Sequence, residues 1–206
     1  VIGPWTHGGK GKTPQGDIDF PAAAAHAPRG LDHPLRFFDH YLGGKQNGVE
    51  KDPAVVYYVL GADEWRTGAV WPPAPSTTRK AYLRGSGELT LAAPEGEEPS
   101  RHFDHVPPNP VPTRGGRNLT IAAGPADQRP IEERSDVLTW TSRELEQSVE
   151  VIGSVSAEVC LISTATDVLF DPANPGHRWE RPLQAPGRMQ VDFEERVNFQ
   201  RLHEYR

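Results

Sequence analysis

Cysteine is nearly absent: Cys160 stands alone among 206 residues. An internal disulfide is therefore excluded. The usage fits a reducing compartment, and a cytoplasmic location is the expectation. Positive charge is also scarce, with 22 Lys and Arg against 28 Asp and Glu and a net charge of −6. Nucleic acid needs a basic footprint, so it is not an expected partner. No apolar run approaches the roughly 18 residues of a membrane span, so no membrane partner is expected either. Hydrophobic residues make up only 36%, low for a compact globular chain. No internal repeat with a period of about 20–50 residues is visible. The chain begins at Val1 and carries no signal-peptide pattern, and coding sequence upstream is expected.

Turn formers are abundant instead, with 21 Pro and 20 Gly. Many turns between short strands would explain both, and so would partial disorder. The first stretch, "VIGPWTHGG", shows the pattern. Val1 and Ile2 read as the end of a buried strand, stopped by Gly3 and Pro4. His7 then falls in a loop just beyond a strand end, where ligands gather in α/β proteins. Residues 8–30 read as loop, with a short helical turn at "AAAAHA" between Pro21 and Pro28.

"LDHPLRFFDHYLGG" is the strongest helix signal. Pro34 suits a first turn, and Leu35, Phe38 and Leu42 recur at spacings of three and four. Gly43 and Gly44 supply the stop. Those three apolar residues are expected to be buried, unless the helix has nothing to pack on and keeps an exposed apolar face. Asp39 and His40 are expected on its solvated face.

From about residue 54 the pattern turns to β. "AVVYYVLG" reads as a strand, and "RKAYLRGSGELTL" as a hairpin around Gly85, Ser86 and Gly87. "EWRTGAVWPPAP" reads as extended and turn-rich. The prolines at 107–112 mark a rigid loop. "DVLTWTS" reads as a strand, and "VEVIGSVSAEVCLIST" as two strands joined near Gly153. The expected fold class is mainly β: a jelly roll or β-sandwich preceded by a helix-bearing segment.

Six stretches, "GPWTHGG", "HPLRFFDHYLGG", "VVYYVLGADEWRTGAVWPP", "DHVPPNPVPTRGGRNL", "GPADQRPIEERSDVLTWTSREL" and "VEVIGSVSAEVCLIST", occur in order over most of residues 1–165. Together they resemble the C-terminal part of the CocE/NonD hydrolases, relatives of the X-Pro dipeptidyl-peptidases. The resemblance implies an α/β-hydrolase domain whose C-terminal end is residues 1–52, and a jelly roll, of galactose-binding-like type, over 53–206. It implies a serine hydrolase that cleaves ester or amide bonds, with no cofactor or metal. The partner would be a small ester, amide or peptide substrate, with homo-oligomer formation open.

The resemblance also puts the catalytic histidine of a Ser-His-Asp triad on His7. An imidazole titrates near neutrality, so it can take a serine proton and return it to a leaving group. No Gly-x-Ser-x-Gly elbow occurs in the chain. The nucleophile and the acid are expected upstream of Val1, and the chain alone is expected to be inactive. After Thr164, "DVLFDPANPGHRWERPL" is similar to a stretch near the family's C-terminus, which implies a β domain with fewer strands than its relatives. The other class of reading is a non-catalytic β-sandwich that binds or assembles.

Further candidates each have a plain alternative. His102, Asp104 and His105 suggest a metal pair but lack further ligands at known spacing; a polar loop is the alternative. Trp65, Trp71 and Trp140 suit ring stacking or simple packing. Ser135, Ser142 and Ser163 lack a partner base nearby in sequence. The "EGEE" at 95–98 reads as a solvated loop tip.

Overall fold

The computed structural model describes residues 1–104, 106–161 and the strand at 187–193. It contains β1 (Pro14–Gln15), β2 (Ile18–Asp19), α1 (Pro34–Tyr41), β3 (Val55–Val59) and β4 (Glu64–Gly68). These are followed by β5 (Tyr82–Leu83), β6 (Leu89–Thr90), α2 (Arg129–Glu132), β7 (Val155–Leu161) and β8 (Gly187–Phe193). Short 3-10 turns lie at Ala22–Ala24, Pro28–Gly30 and Val49–Lys51. The described residues are mostly strand and turn, as the composition suggests. Their strands pair two by two, in four antiparallel ladders.

Two compact units divide after Val151. In the second unit, β7 pairs with β8 from Val155↔Phe193 to Leu161↔Gly187. Only the second of the two strands expected in this stretch forms. Gly153 adopts φ +96°, a conformation that interrupts an extended run, and residues 149–152 carry no strand.

In the first unit, β3 and β4 form the longest ladder, with Val55 opposite Gly68 and Tyr58 opposite Trp65. β4 falls where the sequence suggested only an extended, turn-rich segment. The connection explains it. Gly61 and Asp63 both take positive φ, and the Asp63 amide donates to the Val59 carbonyl at 2.9 Å. The chain thereby reverses tightly enough for pairing. Ile2 adds a parallel bridge on the other side of β3: its amide donates to Val56 O (2.8 Å), and the Tyr58 amide donates to Ile2 O (2.9 Å). The segment before the first helix is thus tied into the first long strand.

The core lies against this ladder. Phe20, Ala24 and Tyr58 are buried together, with Ile18 and Trp65 packed on them. Trp65 meets Tyr58 edge-on at 5.2 Å, and Tyr58 meets Phe20 at 6.1 Å.

The expected hairpin forms as β5–β6, closed by Gly87 N to Arg84 O at 2.9 Å. "DVLTWTS" is not a strand. It contributes one parallel bridge, Thr141 to Glu88. Its alternating pattern is spent on other contacts: Trp140 Nε1 donates to Arg84 O (2.9 Å), and the Arg101 guanidinium stacks over the Trp140 ring at 4.9 Å.

Helix α1 starts at Pro34 and ends at Tyr41, followed by Gly44 at φ +67°. Its apolar face is exposed: Leu35 by 62%, Phe38 by 50% and Leu42 by 81%. The alternative of an unpacked face is the one observed. Arg36 pairs with Asp52, and Asn47 Nδ2 donates to Arg36 O at 2.7 Å, which ties the helix to the Val49–Lys51 turn. His40 is not on a solvated face. It is largely covered, and its Nδ1 lies 2.9 Å from Lys45 O. Asp39 is nearly half exposed and pairs with Lys45 at 2.9 Å.

Candidate active site

His7 sits in an exposed turn. The chain leaves the Ile2 bridge, bends at Gly3 and Pro4, and closes a four-residue turn in which the Gly9 amide donates to Thr6 O at 2.9 Å. His7 and Gly8 are its two central residues. Gly8 takes φ +74°, a value at the third turn position that glycine adopts without steric cost. Here the glycine pair after His7 has a local reason.

A single buried side chain holds this turn. Gln15 is only 2% exposed. Its Oε1 accepts from the Thr6 amide and from Thr6 Oγ1, both at 2.9 Å. Its Nε2 donates to Gly9 O and to Lys12 O, both at 2.8 Å. The amide's two donors and two acceptor sites are all used. The partners flank His7 on both sides, so the imidazole projects from a backbone fixed at Thr6 and at Gly9. A Cβ on Gly9 would collide with Gln15 and Thr6.

The second brace is Trp5. Its indole Nε1 donates to Ala24 O at 2.8 Å, and Trp65 Nε1 donates to the adjacent Ala23 O at 2.8 Å. The two rings lie 5.5 Å apart. The tryptophan two residues before His7 is therefore a strut between the turn and the core. Neither role was legible in the sequence: Gln15 looked like loop, and Trp5 carried no expected contact. The only signal was the placement of a long amide in a glycine-rich stretch.

Close by, Asp32 meets Lys10 and His26. Its side chain is 5% exposed and lies 3.2 Å from Lys10 Nζ and 3.1 Å from His26 Nδ1. Burial pushes its carboxyl upward, but the hydrogen bonds from His26 and Lys10 outweigh this and leave it below its ordinary value.

The other candidates are dispersed. His102 and Asp104 line a surface cleft of about 500 Å³ that also holds Arg134, Ser135 and Asp136. Arg134 is engaged there by Asp136 at 2.6 Å. His105 and Ser163 lie outside the described residues. Among the described residues no group of three or more His, Cys, Asp or Glu is arranged to hold a metal. Ser142 is exposed. Trp65 and Trp140 serve packing and hydrogen bonding, while Trp71 is 43% exposed and meets Tyr57 at 5.7 Å. Glu98 of the acidic stretch is engaged, accepting from the Gly85 amide at 2.8 Å and pairing with Arg84 at 2.6 Å. No helix among the described residues is long and apolar enough to cross a membrane.

Comparison with known proteins supports the family resemblance. Residues 47–170 match the family described as the X-Pro dipeptidyl-peptidase C-terminal non-catalytic domain. The chain is 36% identical over 182 residues to cocaine esterase of Rhodococcus sp. (strain MB1 Bresler), covering 82% of this chain and 31% of that protein. It thus spans about a third of that relative's length. A solved aminopeptidase from a marine sediment archaeon, Thaumarchaeota archaeon, has a similar fold, with a TM-score of 0.73 at 22% identity over 93% of this chain and 38% of that one. Since the family match takes in more than half of its residues, the chain belongs to the X-Pro dipeptidyl-peptidase C-terminal domain family, as the C-terminal part of a CocE/NonD protein.

Proposed function

We propose that the chain is the C-terminal portion of a serine hydrolase and that His7 is the histidine of its Ser-His-Asp triad. One observation carries this reading: His7 is exposed at the centre of a turn whose two ends are both fixed by the buried Gln15. A general base must be accessible and held in place, because its contribution depends on geometry within hydrogen-bond reach. The serine and the acid belong to residues outside this chain.

The chemistry then runs in two stages. His7 takes the serine hydroxyl proton as the oxygen attacks the acyl carbonyl. It returns that proton to the departing alcohol or amine, which leaves an acyl-serine. Water next attacks the acyl carbon while His7 accepts its proton; His7 then gives that proton to the departing serine oxygen, which releases the acid product and restores the serine hydroxyl. The substrate is a small ester, amide or peptide, and no cofactor takes part. In this reading residues 1–52 end the hydrolase domain. The β ladders from residue 53 onward belong to a jelly roll.

The second reading is a non-catalytic β module for binding or assembly. The description of the matched family as non-catalytic supports it, and so does the exposed apolar face of α1.

The test is His7→Ala in the polypeptide expressed with the coding sequence that precedes Val1, assayed on p-nitrophenyl acetate. Turnover should fall about a thousandfold or more, as for loss of a triad member. The 206-residue chain alone should show no His7-dependent turnover. Full activity in the His7→Ala protein would overturn the triad reading and leave the module reading.

A further inference from the structure

The turn that carries His7 is anchored to a part of the chain more than a hundred residues away. Gly16 and Asp17, at the tip of the β1–β2 hairpin, lie against residues 124–127. The Asp17 amide donates to Pro125 O at 2.8 Å, and the Asp127 amide donates to Asp17 Oδ2 at 2.9 Å. Room for this approach exists only because the residues that meet are glycines. A Cβ on Gly16 would strike Pro125 O, and one on Gly124 would meet Gly16 N at 2.7 Å and Thr6 Cγ2 at 3.0 Å. Thr6 is the first residue of the His7 turn, so Gly124 borders the turn itself.

Segment 115–128 is built to stay in place. Gly116 and Gly124 exchange two hydrogen bonds, N to O at 2.7 and 2.8 Å. Gln128 Nε2 donates to Arg114 O (2.9 Å) and Ala126 O (3.1 Å), and Ala126 is buried. Gln15, immediately before Gly16, carries the constraint onward to Thr6 and Gly9. An unbroken path of hydrogen bonds and close contacts therefore runs from 115–128 through Asp17, Gly16 and Gln15 to both sides of His7. Residues 115–128 fall inside the stretch matched to a domain described as non-catalytic, and His7 lies outside it.

We propose that this glycine clasp, acting through Gln15, positions the His7 imidazole, so that the domain described as non-catalytic sets the geometry of the catalytic turn. Gln15 and Asp17 are positioning residues and touch no substrate. The inference rests on the reading of His7 as the triad histidine. Displacement of a catalytic group by about 1 Å can cost on the order of a hundredfold in rate, and Gln15 is the last link before that group.

The test uses the polypeptide expressed with its upstream coding sequence, with p-nitrophenyl acetate as substrate. Gln15→Met keeps length and burial but removes all four hydrogen bonds, and Asp17→Ala removes only the bond from Asp127. The expected result is a fall in kcat of about tenfold or more for Gln15→Met and a smaller fall for Asp17→Ala. KM and the melting temperature of Asp17→Ala should stay near wild type. In parallel, amide hydrogen exchange at Thr6 and Gly9 should accelerate in both variants. Unchanged kcat in Asp17→Ala and Gln15→Met, where His7→Ala is inactive, would overturn the positioning role. Failure of the underlying reading shows differently, as full turnover in His7→Ala itself. If Gln15→Met does not fold, Asp17→Ala alone decides: equal kcat and equal exchange at Thr6 and Gly9 would overturn the proposal.

Discussion

Tyr58 points its phenol at the Asp63 carboxylate, 3.2 Å away, from a site only 7% exposed. Burial first, and then the neighbouring negative charge, push its ionisation up from 10.0 to about 12. The folded value lies above the unfolded one, so the neutral phenol favours folding. That contribution is complete below pH 10.0 and is lost as the pH climbs toward about 12. A tyrosinate absorbance titration should therefore show a late step near pH 12 that Tyr58→Phe removes. A titration with no such step would show that the phenol is not held against Asp63. Asp32 works in the opposite direction. Its folded value lies below the ordinary 3.8, so its contribution is present above that pH and fades as the pH falls through the lower folded value. Asp32→Asn should be less stable than wild type at neutral pH, and the gap should narrow in acid. A gap that stays constant would mean that the Lys10 and His26 contacts contribute nothing. The sequence signalled His7 through its motif, but Gln15, Asp32 and Trp5 were silent in it. Part of their importance comes from partners well removed in sequence, such as Thr6 for Gln15, Ala24 for Trp5 and Lys10 for Asp32, which no local pattern records.

Helix α1 shows which features of an element a sequence can carry. The spacing of Leu35, Phe38 and Leu42, the proline start and the glycine stop all matched the observed helix. Whether the apolar face would be covered did not follow, because periodicity records a preference for burial and not the presence of a partner. β4 illustrates the converse. Its residues lack a strong alternating pattern, yet the tight turn after Val59 brings them alongside β3 and the ladder forms. "DVLTWTS" has the alternation and forms no ladder, because a strand needs a neighbour as well as a period. The exposed face of α1 has a measurable consequence. Truncating a fully buried Phe costs about 3–5 kcal/mol. Phe38 is half exposed, so Phe38→Ala in this chain should cost less than about 1 kcal/mol by denaturant unfolding. The same substitution should reduce binding of a hydrophobic dye. A loss of several kcal/mol would show that Phe38 is covered in solution.

At the scale of the molecule, the core of the first unit is small and local. Among the described residues, the buried apolar side chains are Phe20, Ala24, Ala27, Val56, Tyr57, Tyr58 and Ala126, and Phe20, Ala24 and Tyr58 form the cluster, while many large apolar residues are exposed. Residues 91–104 carry no strand or helix and few of the backbone hydrogen bonds that resist opening. Stability should therefore be uneven, because local opening costs least where few apolar contacts and backbone bonds must be broken. The amides most resistant to exchange should be those bonded into the core: Ile2 to Val56, Tyr58 to Ile2, and Phe20 to Thr13. The Asp17 amide, bonded to Pro125, should join them if the clasp is as firm as its two hydrogen bonds suggest. Those of residues 91–104 should exchange orders of magnitude faster. Hydrogen–deuterium exchange read by mass spectrometry resolves these segments. Uniform protection across 1–151 would mean that the first unit opens as one cooperative body, with a core larger than the cluster around Phe20 and Tyr58. Protection confined to the Ile2–β3 region, with the 124–127 contact exchanging freely, would instead separate the His7 turn from its distant anchor.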